Sequence, residues 1–472
     1  DGITYAKGAS VLKQLVYYVG REKFFQGINQ YLNKYAYSNA TLADLLHELE
    51  KASGRDLKAW SAKWLEESGI NTIATEVEEN ADGTIASLTL NQTAPAEHPV
   101  LRPHRLAVGF YDEDPATGKI VRTDRFELDV DGESTVVAAA AGKKRPAFIL
   151  VNDDDLTYTK LRFDADSLSF ALANLQRFDD ALARAVVWLS LWDMTRDGDL
   201  AAEKFIDTTL ALLATETEST TFRYALSCMS TTAWHYTAPD RRADVVKHIA
   251  KELWKLVIAA PGGSDQQFQL VTAYLGYGEE GDAEFAEHAQ GLFDGSLIVA
   301  GLEIDNNFTW TIINALSSVK LIDQAGIDAQ LAKRDTTENR EFALGAHAVR
   351  GDAAAKEWAW NEALNNADLT NMQLEAVARG FGATPRPDLA EPYAAKYYDV
   401  VDWVWKNKSF HMAEALLEGL YPYYADPATL VELGHRWLAD HEDADNALKR
   451  IVRGNVESSQ RTLKVRDFNA AL

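Results

Sequence analysis

The 472-residue sequence contains a single cysteine, Cys228, and this scarcity limits both its covalent and its metal chemistry. One thiol forms no disulfide within the chain, and a zinc site built on thiolates needs several cysteines. The surrounding stretch YALSCMSTTAW predicts that Cys228 is a small buried residue on a helix rather than a nucleophile. So little cysteine fits a reducing compartment, and we therefore expect a cytoplasmic protein.

The sequence also lacks a long apolar run and any excess of positive charge. No stretch approaches the ~20 apolar residues that span a bilayer, so we expect no membrane partner. The formal net charge is −24, which repels phosphate backbones, so we expect no nucleic-acid partner either. The length and a hydrophobic content of 47% are sufficient for about two to four globular domains.

Three regions differ in the spacing of their apolar residues. Residues 1–71 show helical spacing, residues 72–162 alternate over short stretches between turns, and residues 163–472 return to helical spacing. We therefore predict a multidomain, mainly α fold. It begins with a compact helical cluster, continues with a small antiparallel β-sandwich and ends with an α-helical array of the solenoid type.

Short local signals locate individual elements within the first two regions. Thr41 with Asp44 three residues later predicts a capping box at the start of a helix, and Gly54 predicts the end of that helix. A further helix is predicted to begin near Asp56. The dipeptide Asp82-Gly83 between two alternating runs predicts a β-hairpin.

Two stretches resemble metal motifs without completing them. HELEK begins at His47 as the zincin pattern His-Glu-x-x-His does, but Lys51 occupies the position of the second histidine. We therefore interpret His47 and Glu48 as residues of an ordinary helix surface. The run Asp153–Asp155 lacks the spaced ligands and bidentate glutamate of a calcium loop, which favours a turn at a strand end. From the residues alone, we predict no metal ligand and no complete catalytic site in this chain.

Residues 3–70 closely resemble the M1 family of zinc aminopeptidases, the aminopeptidase N group. The resemblance rests on an aromatic-x-Lys-Gly segment, a Tyr-x-Asn-Ala-Thr turn and a tryptophan-containing helix. The matching residues are Tyr5, Lys7, Gly8, Tyr37, Asn39, Ala40, Thr41, Trp60 and Trp64.

Later segments are similar to the same family's bacterial branch, among them LWDMTRDGDL, LAKRDTTENR and AAAKEWAW. The resemblance therefore covers essentially the whole chain. It implies that residues 1–71 are the helical end of a thermolysin-like catalytic domain. Residues 72–162 would be the family's β-sandwich domain, and residues 163–472 its C-terminal helical domain.

The chain departs from the family in what it lacks. The family binds zinc through His-Glu-x-x-His and a downstream glutamate, and it holds the substrate amine with a Gly-x-Met-Glu-Asn segment; neither motif occurs here. We therefore expect that this sequence is the C-terminal part of an aminopeptidase and starts inside the catalytic domain. Zinc would belong to the whole enzyme and not to this segment. The segment would be inactive alone, with the remainder of its catalytic domain as a partner, and its oligomeric state stays open.

The resemblance also implies roles for individual residues. Tyr5 matches the tyrosine that stabilises the oxyanion when water attacks the first peptide carbonyl, so peptides are the expected substrates. The helical domain is expected to enclose the active-site chamber. Near the C-terminus, Arg461 and Arg466 are candidates for contact with a peptide carboxylate, because a guanidinium binds a carboxylate with two parallel hydrogen bonds. The alternative for both is pairing with acidic neighbours or a favourable interaction with the C-terminus of the helix.

A different class of protein also fits the pattern of elements. A β-sandwich followed by a helical array could be a non-catalytic α-solenoid scaffold or a peptide-binding module, because such arrays bind partners on their concave faces. The feature that separates the two hypotheses is Tyr5 with its flanking segment, which a scaffold would have no reason to keep.

Overall fold

The computed structural model describes residues 3–472, with side chains from Tyr5 onward. The chain divides into two compact units between Met194 and Thr195. The division into three domains with boundaries at residues 71 and 162 stays a prediction. Both the predicted order of elements and the mainly helical class are confirmed.

The first unit contains four helices, a β region and two further helices. Two short π-helical turns, Ile3–Lys7 and Ala62–Glu66, flank the first four helices. The helices are α1 (Gly8–Val19), α2 (Arg21–Lys34), α3 (Leu42–Ser53), α4 (Leu57–Ser61), α5 (Ala165–Asn174) and α6 (Ala181–Asp197). The strands are β1 (Thr72–Glu79), β2 (Ile85–Thr93), β3 (His104–Glu113), β4 (Ile120–Val130), β5 (Ser134–Val136), β6 (Phe148–Val151) and β7 (Lys160–Arg162).

The strands form two sheets. One has the order β5-β2-β1-β7 and the other the order β4-β3-β6. Neighbouring strands are antiparallel as predicted, except that β7 runs parallel to β1 with Lys160 opposite Thr72. The exception has a topological cause: after β2 the chain passes through β3 and β4 of the second sheet, β5 of the first and β6 of the second before β7 pairs with β1, so no tight hairpin fixes the direction of β7.

The local signals in the sequence produced the expected elements. The Thr41 hydroxyl accepts a hydrogen bond from the backbone N–H of Asp44, and the Asp44 carboxylate accepts one from the N–H of Thr41 at 2.8 Å. The Asp56 carboxylate caps α4 by accepting from the backbone N–H groups of Lys58 and Ala59. The predicted hairpin joins β1 to β2, and Gly83 takes the positive φ of 80° that its turn requires. The caps at Thr41 and Asp56 satisfy N–H groups that a helix leaves unpaired at its start.

Helix α1 is buried along one face by its own helical cluster. Val11, Leu15 and Val19 are each less than 5% exposed. They belong to a core that includes Leu49 on α3 and Trp60 on α4. The buried face of α1 therefore shares one apolar core with α3 and α4.

A chain of buried polar side chains joins α1 to the β region. The side chain of Gln14 on α1 is fully buried and contacts the Thr157 hydroxyl. That hydroxyl lies 2.7 Å from Nδ1 of His104 on β3, and Nε2 of the same ring lies 2.9 Å from Oε1 of Gln92 on β2. Burial, with the nearby Arg102 charge adding to it, lowers the pKa of His104 to about 3. The imidazole is therefore neutral at pH 7.

Among the residues that the structure describes, the second unit contains fifteen α-helices, a π-helical turn, Thr232–Tyr236, after the second of them, and a short 3-10 helix, Glu391–Tyr393. They are α7 (Ala202–Leu213), α8 (Ser219–Thr231), α9 (Arg242–Ala259), α10 (Asp265–Leu275), α11 (Ala283–Asp294), α12 (Asn306–Ser318), α13 (Gln324–Lys333), α14 (Thr337–Ala348), α15 (Ala353–Asn365), α16 (Asn371–Gly382), α17 (Pro387–Ala390), α18 (Ala394–Asn407), α19 (Phe410–Gly419), α20 (Pro427–Asp440) and α21 (Asn446–Ala470). None of the described helices combines the length and the apolar character that crossing a bilayer requires.

A buried lysine ties helix ends together within the second unit. Lys356 on α15 is 2% exposed. Its Nζ donates to the carbonyl of Ala348 at 2.7 Å and to those of Gly380 and Phe381 at 3.2 and 3.1 Å. The last residues of a helix carry unpaired carbonyls and partial negative charge, so an ammonium at that position compensates the ends of both α14 and α16.

The low pKa of His104 should make the first unit less stable in acid, because the unfolded chain takes up a proton there and the folded chain does not. The folded state keeps the ring neutral down to a pH of about 3, whereas an unfolded histidine titrates near 6.5, so between these values the unfolded chain binds a proton that the folded chain does not. We expect this residue to lower the free energy of unfolding by about 2 kcal/mol between pH 7 and pH 5. Urea denaturation at both pH values, compared between the wild type and His104→Gln, measures the contribution. An equal pH dependence in the two proteins would contradict it.

Candidate functional site

Tyr5 lies in the π-helical turn Ile3–Lys7, which continues directly into α1. Its side chain is 73% exposed, so the ring is not part of the core beneath α1. Single π-helical turns are uncommon and occur frequently at functional sites. An exposed phenol can donate a hydrogen bond while it stays neutral, which suits it to stabilise a developing negative charge. The Tyr5 ring is thus accessible to solvent in this chain, and its catalytic role stays a prediction.

The incomplete zincin pattern has a structural role that its sequence did not indicate. His47 is exposed as expected, but Glu48 is 2% exposed and therefore does not lie on an ordinary helix surface. Its carboxylate accepts a hydrogen bond from Nζ of Lys34 on α2 at 2.6 Å, and this bond is the main cause that lowers the pKa of Glu48. The pair joins α2 to α3. Among residues 3–472, no group of three or more His, Cys, Asp or Glu side chains is arranged to hold a metal ion.

The run Asp153–Asp155 forms a tight turn after β6, as its sequence indicates. The buried Asp153 accepts hydrogen bonds from the Tyr111 hydroxyl at 2.6 Å and from Arg122 at 2.8 Å. Asp154 accepts from Arg122 and from Arg125. These carboxylates are therefore neutralised by arginines of β4.

Arg466 lies on α21 and is already engaged. Its Nε donates to the backbone carbonyl of His235 at 2.8 Å, at the end of the π-helical turn Thr232–Tyr236. Burial lowers the pKa of Arg466 to about 10, with the charge of Arg242 adding to the effect and Asp426 opposing it. The guanidinium remains charged at pH 7 and satisfies a backbone carbonyl at the end of this turn.

Arg461 lies five residues earlier on α21 and is half-buried. Within the part of the chain that the structure describes, its guanidinium forms no hydrogen bond or ion pair. The two predicted arginines therefore differ: Arg466 is bonded within the fold, whereas the Arg461 guanidinium has no partner among the described residues and could bind a ligand.

Sequence reasoning missed two features of these sites. The buried Gln14 could have been recognised, because it is polar and lies three residues after Val11 on the apolar face of α1. Arg242, the other charge near Arg466, carries no such signal. Two of its guanidinium nitrogens, Nε and Nη2, are buried without a hydrogen-bond partner among the described residues.

Comparison with protein-family models gives two matches. The model of the ERAP1-like C-terminal domain matches residues 148–461. The model of the peptidase family M1 domain matches residues 1–64, which include Tyr5 and helices α1 to α4.

Named relatives agree with these matches. Aminopeptidase N of Streptomyces lividans is 38% identical over 477 aligned residues, which cover 100% of this chain and 55% of that protein. Aminopeptidase 2, mitochondrial, of Saccharomyces cerevisiae is 31% identical over 183 residues, or 36% of this chain and 18% of the yeast protein. Aminopeptidase M1 of Arabidopsis thaliana is 27% identical over 175 residues, or 37% of this chain and 20% of the plant protein. The chain spans about half the length of the Streptomyces relative.

The different environments of the two arginines predict different effects on stability. Arg466→Met removes a charge-assisted hydrogen bond from a helix-end carbonyl, so we expect the free energy of unfolding to fall by about 1.5–3 kcal/mol. Arg461→Met removes no such bond and should change it by less than about 0.5 kcal/mol. Urea denaturation of both variants checks this, and equal losses would contradict it.

Proposed function

Because the chain belongs to the family of ERAP1-like C-terminal domains, we propose that it forms the C-terminal part of a zinc-dependent aminopeptidase that removes N-terminal residues from peptides. The observation that carries the proposal is the exposed Tyr5 at the start of α1, inside the segment that matches the M1 peptidase model. The 38% sequence identity with aminopeptidase N of Streptomyces lividans, along the full chain, supports the same assignment. A non-catalytic scaffold would have no need of Tyr5.

In the proposed reaction, water adds to the carbonyl carbon of the first peptide bond. The C–N bond then breaks and the new amine takes up a proton. Negative charge develops on the carbonyl oxygen before the bond breaks. The Tyr5 hydroxyl donates a hydrogen bond to that oxygen, and a donor fixed in place stabilises the transition state more than the neutral ground state.

Residues 3–472 offer no ligand set for zinc. Zinc, the cofactor proposed for the whole enzyme, would therefore be held by polypeptide outside this sequence. We expect residues 1–472 to be inactive alone and to pack against the remainder of their catalytic domain. The apolar side chains exposed on the helical cluster support this packing, among them Leu12, Phe25 and Leu32, each more than half exposed.

The helical unit would close a chamber over the substrate and thereby exclude folded proteins. We place the enzyme in the cytoplasm. The support for this location is the single cysteine, which suits a reducing compartment.

Tyr5→Phe tests the proposed role in the whole protein. Loss of one oxyanion donor should lower kcat by about 10²–10³-fold with little change in KM. Hydrolysis of an aminoacyl p-nitroanilide measures both constants, and zinc content should stay equal to that of the wild type. Tyr37→Phe is the matched control, because Tyr37 is fully exposed in the same helical cluster. Full activity of Tyr5→Phe would refute the role of the phenol.

Arg461 is the better of the two candidates for a peptide carboxylate, since Arg466 already bonds the carbonyl of His235. We propose that Arg461 contacts the C-terminus of short peptides, with Arg466 supporting α21 beneath it.

Arg461→Ala should raise KM for short peptides and leave KM for an aminoacyl p-nitroanilide unchanged, because only the peptide offers a carboxylate. A peptide amide of the same sequence provides the control substrate, and its KM should not change. Equal KM values for wild type and variant across a series of peptide lengths would remove Arg461 from the proposal.

A further inference from the structure

The π-helical turn that carries Tyr5 has no break before α1. Lys7, at the junction, has φ −64° and ψ −42°, so the helical backbone continues through it. Any rotation or tilt of α1 therefore moves Tyr5 with it. Gln14 lies nine residues after Tyr5, about 13 Å along a helix. A tilt of about 5° around Gln14 would displace the Tyr5 backbone by about 1 Å, which is enough to misalign a hydrogen bond.

Apolar packing by itself does not fix α1 against such a tilt. The hydrophobic stabilisation from Val11 and Leu15 is non-directional and depends on buried area, so it changes little when a helix tilts by a few degrees. Hydrogen bonds depend on direction and distance, and a buried polar group that loses its partner costs about 1–3 kcal/mol. Polar anchors therefore decide the orientation of α1.

The β region supplies two such anchors next to each other on α1. Gln14 contacts the Thr157 hydroxyl, and both side chains are buried. Lys13 donates from Nζ to the backbone carbonyl of Asp154 at 2.9 Å and lies 3.7 Å from the Asp155 carboxylate. All the acceptors lie in one segment, residues 154–157.

That segment is itself held in place. Asn152 accepts a hydrogen bond from the backbone N–H of Thr157 and donates one to its carbonyl, both at 2.9 Å. Asn152 adopts the left-handed φ of 60°, and so does Asp154 at 65°. Non-glycine residues keep this conformation only where their surroundings enforce it. The support for α1 is therefore a fixed turn of the β region.

The donors and acceptors along the buried chain have only one consistent order. Gln92 donates from Nε2 to the carbonyl of Gly132, so its Oε1 accepts from Nε2–H of His104. The neutral ring then accepts at Nδ1, and the Thr157 hydroxyl must donate to it. With its proton used, the Thr157 oxygen can only accept, whereas Oε1 of Gln14 faces it in the structure. Turning the Gln14 side-chain amide by 180° resolves this, because Nε2, which otherwise lacks a partner, then donates to Thr157.

We propose that Gln14 and Thr157 are positioning residues for Tyr5: through them, the β region sets the orientation of α1 and thereby the place of the phenol hydroxyl. This inference rests on the proposed function, since it assumes that Tyr5 takes part in hydrolysis. It assigns the β region a part in the reaction that requires no contact between its residues and the substrate.

Near-isosteric substitutions in the whole enzyme test the proposal. Gln14→Met and Thr157→Val each remove the hydrogen bond and keep the side-chain volume. We expect kcat to fall about tenfold in each, with KM changed less than twofold and zinc content unchanged. Thr157→Ser keeps the hydroxyl and should keep kcat within twofold. This pair decides the matter even if Gln14→Met fails to fold.

A double-mutant cycle separates positioning from general destabilisation. In a Tyr5→Phe background, Gln14→Met should cause less than a twofold further loss of kcat, because the group that it positions is already absent. Asp129→Asn provides the control: the Asp129 carboxylate on β4 accepts from Arg55 at 2.9 Å, across the same boundary but outside the chain of Gln14, Thr157 and His104. It should lower the melting temperature without changing kcat.

The outcomes distinguish the two hypotheses. Full activity of Tyr5→Phe refutes the proposed function, whatever the other variants do. An inactive Tyr5→Phe together with a fully active Thr157→Val overturns the positioning role alone. An equal loss from Gln14→Met in the presence and absence of the Tyr5 hydroxyl also overturns it, because the loss would then act on the fold and not through the phenol.

Discussion

The cost of burying an unpaired polar group is the constraint on which the first unit depends. Gln14 and His104 are fully buried, and neither can recover hydrogen bonds from water. Both side chains contact the Thr157 hydroxyl, and this shared partner requires α1 and β3 to keep one relative position. Apolar packing supplies most of the free energy around α1, whereas this polar chain selects one arrangement among those that apolar packing would tolerate.

The same constraint governs cations in the second unit. In a chain of net charge −24, one would expect buried cations to pair with carboxylates, but Lys356 and Arg466 bond mainly to backbone carbonyls at the ends of helical segments. Those carbonyls have no partner within their own helix, and a cation satisfies both their hydrogen bonding and their partial charge. The basic side chains near the C-terminus are thus partly structural, which leaves Arg461 distinct from its neighbour.

How much of this could be predicted depends on the sequence distance between partners. Thr41 with Asp44, Asp56 with its own helix, and the Asp82-Gly83 turn obey rules that act within a few residues, and the structure contains each of them. The contact of Gln14 with Thr157 joins residues 143 positions apart, and the parallel pairing of β7 with β1 spans most of the β region. No local pattern contains such information.

The residues of the candidate site also differ in whether their neighbours in the sequence could identify them. Tyr5 was identified by family resemblance, since periodicity alone would make it an ordinary residue at a helix start. Glu48 was misjudged because its partner Lys34 lies on another helix, so its burial follows from packing rather than from its own helix. Gln14 could be recognised as a polar residue on an apolar helix face, but this pattern does not identify its partner.

An exposed phenol gives up the stabilisation that burying an aromatic ring would provide, and so it is worth asking what holds Tyr5 in place. Its own contacts within this chain cannot do so, because most of its surface is open to solvent here. Rigidity has to reach it through the backbone, from a helix whose own orientation is fixed elsewhere. Helix α1 meets that need, since Val11 and Leu15 pack in the core of the helical cluster and Gln14, on the same face, is hydrogen-bonded to the β region. A reactive group can thus stay accessible to a substrate while the atoms that determine its position lie deep in the protein.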